Sequence, residues 1–238
     1  MIGLKLPSKK RVRDEAEKPF WISFADLMMA LMVLFLVATT VVISSMKQNT
    51  DDVTEKKTQR DHDIQELIAH IADIAKNYPG VEVRGHSINF GDKGKFESGS
   101  HLLSAEKETL LRSFIPEVLS AARTPSGDKW IKRIVVEGFA DKTGAYLPNL
   151  HLSLQRSERV LCALLASPES VADALTDEDR LQTRKLFLVG GSSFNAPKEN
   201  YGDSRRIELR LEFLEIGENR QAPRDAPLDN ALCPLDSR

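Results

Sequence analysis

The stretch GFADKTGAYLPNLHLSLQRSERV, residues 138–160, decides the fold. It continues IKRIVVEGF (Ile131–Phe139), whose β-branched run reads as a strand. Asp141 to Gly144 then supplies short polar residues and a glycine, the composition of a turn. Asn149 begins a helix that carries Leu152, Leu154, Val160, Leu161, Leu164 and Leu165. Strand, turn and helix follow one another with almost no spare chain.

Working outward, Val81–Phe90 reads as one or two short strands, followed by a turn at Gly91–Gly94. Ser104 caps a helix with Ala105 and Glu106 in its first turn and Leu110, Leu111, Phe114, Ile115, Val118 and Leu119 along its apolar positions. Beyond the central stretch, Ser170–Leu181 adds a short helix and Lys185–Gly191 a strand. Ser204–Ile216 alternates, with Ile207, Leu209, Leu211 and Phe213 facing one way and Glu208, Arg210 and Glu212 the other. The expected architecture for residues 81–216 is α+β, a mixed sheet with helices on one face. The tail, residues 217–238, is rich in Pro, Asp and Arg and reads as irregular.

A net charge of −2 over 238 residues gives no basic footprint, so direct contact with nucleic acid is not expected. Cys162 and Cys233 form no metal-binding spacing, the five histidines are scattered, and no HExxH, GxxxxGK[ST] or GxGxxG occurs. No enzyme and no cofactor are expected.

Residues 21–44 are apolar and long enough, at about 36 Å as helix, to cross a hydrocarbon core of about 30 Å. The run exceeds the apolar region of a signal peptide, and no small-residue cleavage pattern follows it. Lys5, Lys9, Lys10, Arg11, Arg13 and Lys18 precede it, which favours a cytoplasmic N-terminus for residues 1–20. One acid interrupts the run, Asp26. It costs about 2.5–3.5 kcal/mol on insertion scales, while the dozen Leu, Ile, Phe and Val residues between Ile22 and Ile43 return roughly 5 kcal/mol. The helix therefore inserts despite the acid. Asp26 lies inside Phe20, Trp21, Ile22 and Phe24, and a short side chain reaches headgroups poorly. Ionisable groups so placed mark ion paths, and a single helix cannot enclose one, so partner helices are expected.

Residues 47–63 read as a solvated spacer. Ile64, Leu67, Ile68, Ile71, Ile74, Ala75 and Tyr78 then recur at helical spacing until Pro79-Gly80, so residues 45–80 form a linker with a short amphipathic helix. Its narrow stripe suits pairing with a second copy or packing on its own domain.

Two resemblances add to this reading. Gly138, Asp141, Gly144, Asn149, Leu152, Ser153 and Arg156 stand in the order and spacing of the OmpA-like peptidoglycan-binding signature, G-H-T-D-x-x-G…N-x-x-L-S-x-x-R. KFESGSHLLS upstream and NYGDSRRIELRL downstream resemble that family's flanking motifs, so the likeness covers roughly residues 87–215. Phe139-Ala140 departs from it where the family has His-Thr. The resemblance implies that Asp141 pairs with the ammonium of diaminopimelate in a cell-wall stem peptide and that Arg156 holds its carboxylate as a fork. Asn149 would cap the helix and bond ligand, and Leu152 would pack beneath. A ligand-free Asp141–Arg156 ion pair is the structural alternative. Arg205 and Arg206 read as braces of the sheet edge.

The run FWISFADLMMALMVLFLV is similar to the MotB class of stator subunit. That class implies a homodimer inside a ring of MotA-like subunits, with Asp26 carrying a proton or sodium ion while the distal domain grips peptidoglycan. The Gly-Phe-Ala-Asp variant resembles the Zorya anti-phage branch, whose ring subunit is ZorA, more than the flagellar one. A passive envelope tether remains as an alternative. The implied location is the inner membrane, single-pass, with the C-terminal domain periplasmic. In such an oxidising compartment Cys162 and Cys233 can form a disulfide pinning the tail to the helix.

Overall fold

The computed structural model describes residues 17–165, 175–220 and 233–236. The expected cytoplasmic segment up to residue 16, the first part of the helix expected at Ser170–Leu181 and most of the tail lie outside the described residues. The chain divides into two compact units, residues up to Lys56 and residues from Lys57 onward.

A single helix, α1, runs Glu17–Ala75 and contributes to both units. The spacer expected at 47–63 is therefore helical. No Gly or Pro interrupts residues 20–78, and Glu55, Lys56, Lys57, Gln59 and Arg60 are good helix formers. From Trp21 to Met46 every residue except Thr39 is exposed on its own chain, although the most apolar window has a mean hydropathy of 2.6. A helix apolar on all sides requires lipid or other helices around it.

In the second unit the distal stripe of α1 packs on its own domain. Ile64, Leu67, Ile71 and Ala75 are buried. The Tyr78 hydroxyl donates to Ser113 O at 3.0 Å, and its ring meets Phe114 edge-on at 5.1 Å. Trp130 Nε1 donates to Asp63 Oδ2 at 2.8 Å, and Arg60 Nε to Leu214 O at 2.8 Å. Residues from Lys57 thus belong to the domain and not to a linker.

The domain continues with β1 (Glu82–Arg84), β2 (Ser87–Asn89), α2 (Ala105–Arg123), α3 (Pro125–Trp130), β3 (Ile131–Gly138), α4 (Tyr146–Leu165), α5 (Asp177–Leu186), β4 (Phe187–Gly191), α6 (Tyr201–Ser204) and β5 (Ile207–Phe213). The sheet order is β1-β2-β5-β3-β4. Among the described strands β3 and β4 pair in parallel, and the other pairings are antiparallel. Ile134 and Val136 of β3 with Leu209 and Leu211 of β5 meet Phe114, Val118, Val160 and Leu164 in one core. Arg133, Glu137, Arg210 and Glu212 form ion pairs on the polar side of the same strands. This is the expected α+β mixed sheet. The long strands start later than expected, β4 at Phe187 and β5 at Ile207, because α5 and α6 consume the residues before them. The six-residue α3 is too short to show a period in sequence.

Candidate functional site

The site lies where α4 crosses the C-terminal ends of β3 and β4. Two glycines permit that crossing. A Cβ on Gly138 would stand 2.0 Å from Ser153 O, and one on Gly191 would stand 2.6 Å from Ser153 Oγ and 3.0 Å from Leu154 N. Any side chain at either position pushes α4 off the sheet. Close seating lets α4 present Ser153, Arg156 and Ser157 inward, all fully buried. Ser157 Oγ donates to Gly190 O at 2.6 Å, stitching helix to sheet.

Asp141 follows β3 and is 6% exposed. Its Oδ1 accepts from Thr143 N at 2.9 Å, and its Oδ2 accepts from Arg205 Nη1 at 2.9 Å. Burial pushes the carboxyl up, but Arg205 and the Thr143 N–H outweigh it and hold Asp141 below the ordinary aspartate value.

Arg156 occupies a place different from that expected. It is fully buried and does not pair with Asp141; instead Nε donates to Ser100 O at 2.9 Å, Nη1 to Phe139 O at 2.7 Å and Nη2 to Glu97 O at 3.1 Å. The guanidinium also lies 5.1 Å over the Phe96 ring. Burial, followed by repulsion from Arg205, lowers it to about 10, so it stays charged at neutral pH. A fork engaged by three carbonyls and closed to solvent organises loops. It is not presented to a ligand in this conformation.

Arg205 is the cation that reaches Asp141, which corrects its reading as a sheet brace. Its Nε donates to Phe96 O at 3.0 Å, while Phe96 N donates back to Arg205 O at 2.8 Å. Arg206 does brace, through Glu208 at 2.7 Å, Ala196 O and the Phe139 ring 4.1 Å away. The doublet is visible in sequence. Which member turns towards Asp141 is not, because consecutive residues at a strand entry point to opposite sides. Asp141 is paired with Arg205 alone, and the sealed guanidinium of Arg156 adds positive charge beneath the site.

Asn149 does not begin the helix. α4 starts at Tyr146, and Asn149 Nδ2 donates to Thr143 O at 2.8 Å and Ala145 O at 3.2 Å, fastening the loop that carries Asp141. Gly144 in that loop has φ +91°, which a residue with a side chain rarely adopts. Leu152 is half-buried one turn further on. Sequence reading missed Ser193, a buried non-glycine residue at φ 51°. Its carbonyl accepts from Ala140 N at 2.7 Å and its hydroxyl donates to Tyr146 O at 3.1 Å, tying the two loops together. Such strain gathers where surrounding contacts fix a site. Phe139 and Ala140 are buried, so the departure from the family signature fills with apolar contact a place where the family carries polar side chains.

Asp26 lies on the exposed surface of α1, in the first unit. Cys162 of α4 and Cys233 are joined in a disulfide, with Cα atoms 5.3 Å apart. Arg159 adds a bond to Asp236 at 2.7 Å, so the segment Cys233–Asp236 is held at two points.

No protein-family model matches the chain. A curated relative, the Zorya protein ZorB of Escherichia coli, is 45% identical over 223 residues, covering 92% of this chain and 91% of the relative. Three solved structures are similar at low identity. The OmpA-like domain of FopA1 from Francisella tularensis matches at 15% identity and TM-score 0.35, over 57% of this chain and 82% of that one. The peptidoglycan-associated lipoprotein of Burkholderia pseudomallei matches at 17% and 0.34, over 55% and 91%. The C-terminal domain of Helicobacter pylori MotB matches at 16% and 0.32, over 50% and 81%.

Proposed function

The chain belongs to the ZorB family of Zorya proteins, and from that premise we propose that it is the stator-type subunit of an ion-driven inner-membrane motor, anchored to peptidoglycan and serving anti-phage defence. The observation that carries this reading is the conjunction, on one chain, of a lone acid in an otherwise apolar span and a wall-binding motif in the domain beyond it. Either feature alone fits many envelope proteins.

The span crosses the inner membrane once, N-terminus in the cytoplasm and domain in the periplasm. The Cys162–Cys233 bond suits that oxidising side. The exposed apolar surface around Asp26 is covered by a second copy and by a ZorA-like ring. Within it Asp26 takes up and releases a proton or sodium ion, changing its contacts with the ring. The domain holds the sacculus, so the ring turns against a fixed dimer. Its ligand is the zwitterionic end of a diaminopimelate stem peptide. The ammonium meets Asp141. The carboxylate meets Arg205, whose side chain is 21% exposed, while Arg156 supports the floor from inside. Asn149 and Leu152 shape the loop and the helix face beside it.

The test is a phage-plating assay with Asp26→Asn, with co-purification of the ring subunit as the assembly control. Protection is lost although the complex assembles. Protection equal to wild type removes the ion role and leaves a mooring.

A further inference from the structure

α4 carries a second buried arginine, Arg159, in the turn after Arg156. The two are equipped differently. Arg156 spends Nε, Nη1 and Nη2 on three carbonyls. Arg159 bonds Oδ1 of Asp236 through Nη1 at 2.7 Å, while its Nε and Nη2 are buried and have no acceptor among the described residues. The residue is only 7% exposed.

The two open donors belong together. Nε–H and the Nη2 group share one edge of the planar guanidinium, the edge that meets two oxygens of a carboxylate or phosphate in parallel. Buried donors are normally satisfied, and a buried cation with such an edge unmet is costly. Asp236 offsets little of that cost, since its side chain is 60% exposed and its charge is shared with solvent. The surroundings stay electropositive. Burial first, then Arg159 and Arg156, hold His101 below the ordinary histidine value against the opposing pull of Asp236 and Glu158.

The acid that reaches Arg159 is delivered by a tether. Cys233 is bonded to Cys162, three residues along α4 from Arg159, so the segment Cys233–Asp236 crosses neighbouring positions of one helix face. A single turn, closed by Asp236 N on Cys233 O at 3.0 Å, brings the carboxylate to the guanidinium. That carboxylate takes Nη1 and leaves the fork edge open. We infer that Arg159 is the receptor of a small oxyanion, a phosphate or a carboxylate seated on its Nε–Nη2 edge, and that Asp236 is a tethered acid competing for the same cation. The inference is independent of the wall-binding reading.

The experiment is calorimetric titration of the full chain, in nanodiscs of zwitterionic lipid, with inorganic phosphate and with acetate, each against chloride at equal ionic strength. Phosphate or acetate binds where chloride does not, and the tighter of the two identifies the acid group the receptor takes. Asp236→Asn removes a like charge from the same cation without touching the core, and tightens that binding on the order of tenfold. Arg159→Lys keeps the charge, loses the fork and weakens binding by at least about tenfold. Binding that emerges only after Asp236→Asn also supports the receptor, with the tethered acid as its occupant in the wild type. Failure of both anions to bind wild type and Asp236→Asn overturns the inference. An affinity unchanged by Asp236→Asn overturns it too, as does wild-type affinity in a folded Arg159→Lys.

Discussion

Arg205 places Nη1 2.9 Å from Oδ2 of Asp141, across 64 residues of sequence, and so neutralises the acid that the wall-binding motif puts forward. On the proposed wall-binding role, a ligand ammonium would meet a carboxylate already bonded to Arg205, and recognition would involve Arg205. Arg205→Ala strands a nearly buried charge and removes a bond to Phe96 O, costing about 1–3 kcal/mol of stability. Chemical denaturation measures that cost, and co-sedimentation with sacculi measures the accompanying loss of binding. Unchanged binding by a folded Arg205→Ala removes Arg205 from the site.

Asp141 also sets an acid limit. Its folded value lies below the unfolded one, so its contribution is fully present above the unfolded value and is lost as pH falls through the folded one. The window opens below about pH 4. Asp141→Asn flattens the fall in stability across that window and leaves a folded domain that no longer pellets with sacculi. A slope identical to wild type contradicts the assignment.

Arg156 behaves differently, since it ties two loops, the one before α2 and the one after β3, from inside. Arg156→Ala leaves the buried Phe139 carbonyl and the part-buried Ser100 and Glu97 carbonyls without their donor and costs on the order of 3–5 kcal/mol. Arg156→Lys rescues little, because an ammonium cannot reproduce the planar fork. Wall binding is lost in parallel with the fold, visible as a lowered Tm, whereas Asp141→Asn loses binding with the Tm nearly kept.

The disulfide closes a loop of 71 residues' separation. Cys162→Ser with Cys233→Ser lowers stability by about 4 kcal/mol on loop entropy alone. Reductant added to the wild type reproduces the loss in urea titrations and has no effect on the double variant.

Gly138→Ala brings a methyl to 2.0 Å from Ser153 O. Backbone must move, and the cost is about 1–3 kcal/mol or more. A Tm within a degree of wild type contradicts the close seating of α4.

The legible parts of this protein are those whose physics is local. Alternation in β5, the apolar faces of α2 and α4, and the Ser104 cap each follow from spacing along a few residues. The helical continuity through residues 47–63 was hidden by charge, which reads as spacer although its residue types favour helix. α3 was too short to register, and the first turn of α4 hid behind Pro148. In the site, the motif located Asp141, Asn149 and Arg156, but it gave roles as though each side chain faced outward.

By itself the sequence determined the membrane-length apolar run, the isolated acid within it, the α+β order and the residues that gather at the end of β3. Periodicity and composition suffice for these, because burial in lipid or core is set by which residues recur at 2.0 or 3.6. Only the tertiary structure decided that Arg205 serves Asp141, that Arg156 is sealed under three carbonyls, and that Cys233 is bonded to α4. Those outcomes depend on which distant backbones approach within about 3 Å, and a strand entry or a loop can turn either way until packing selects one.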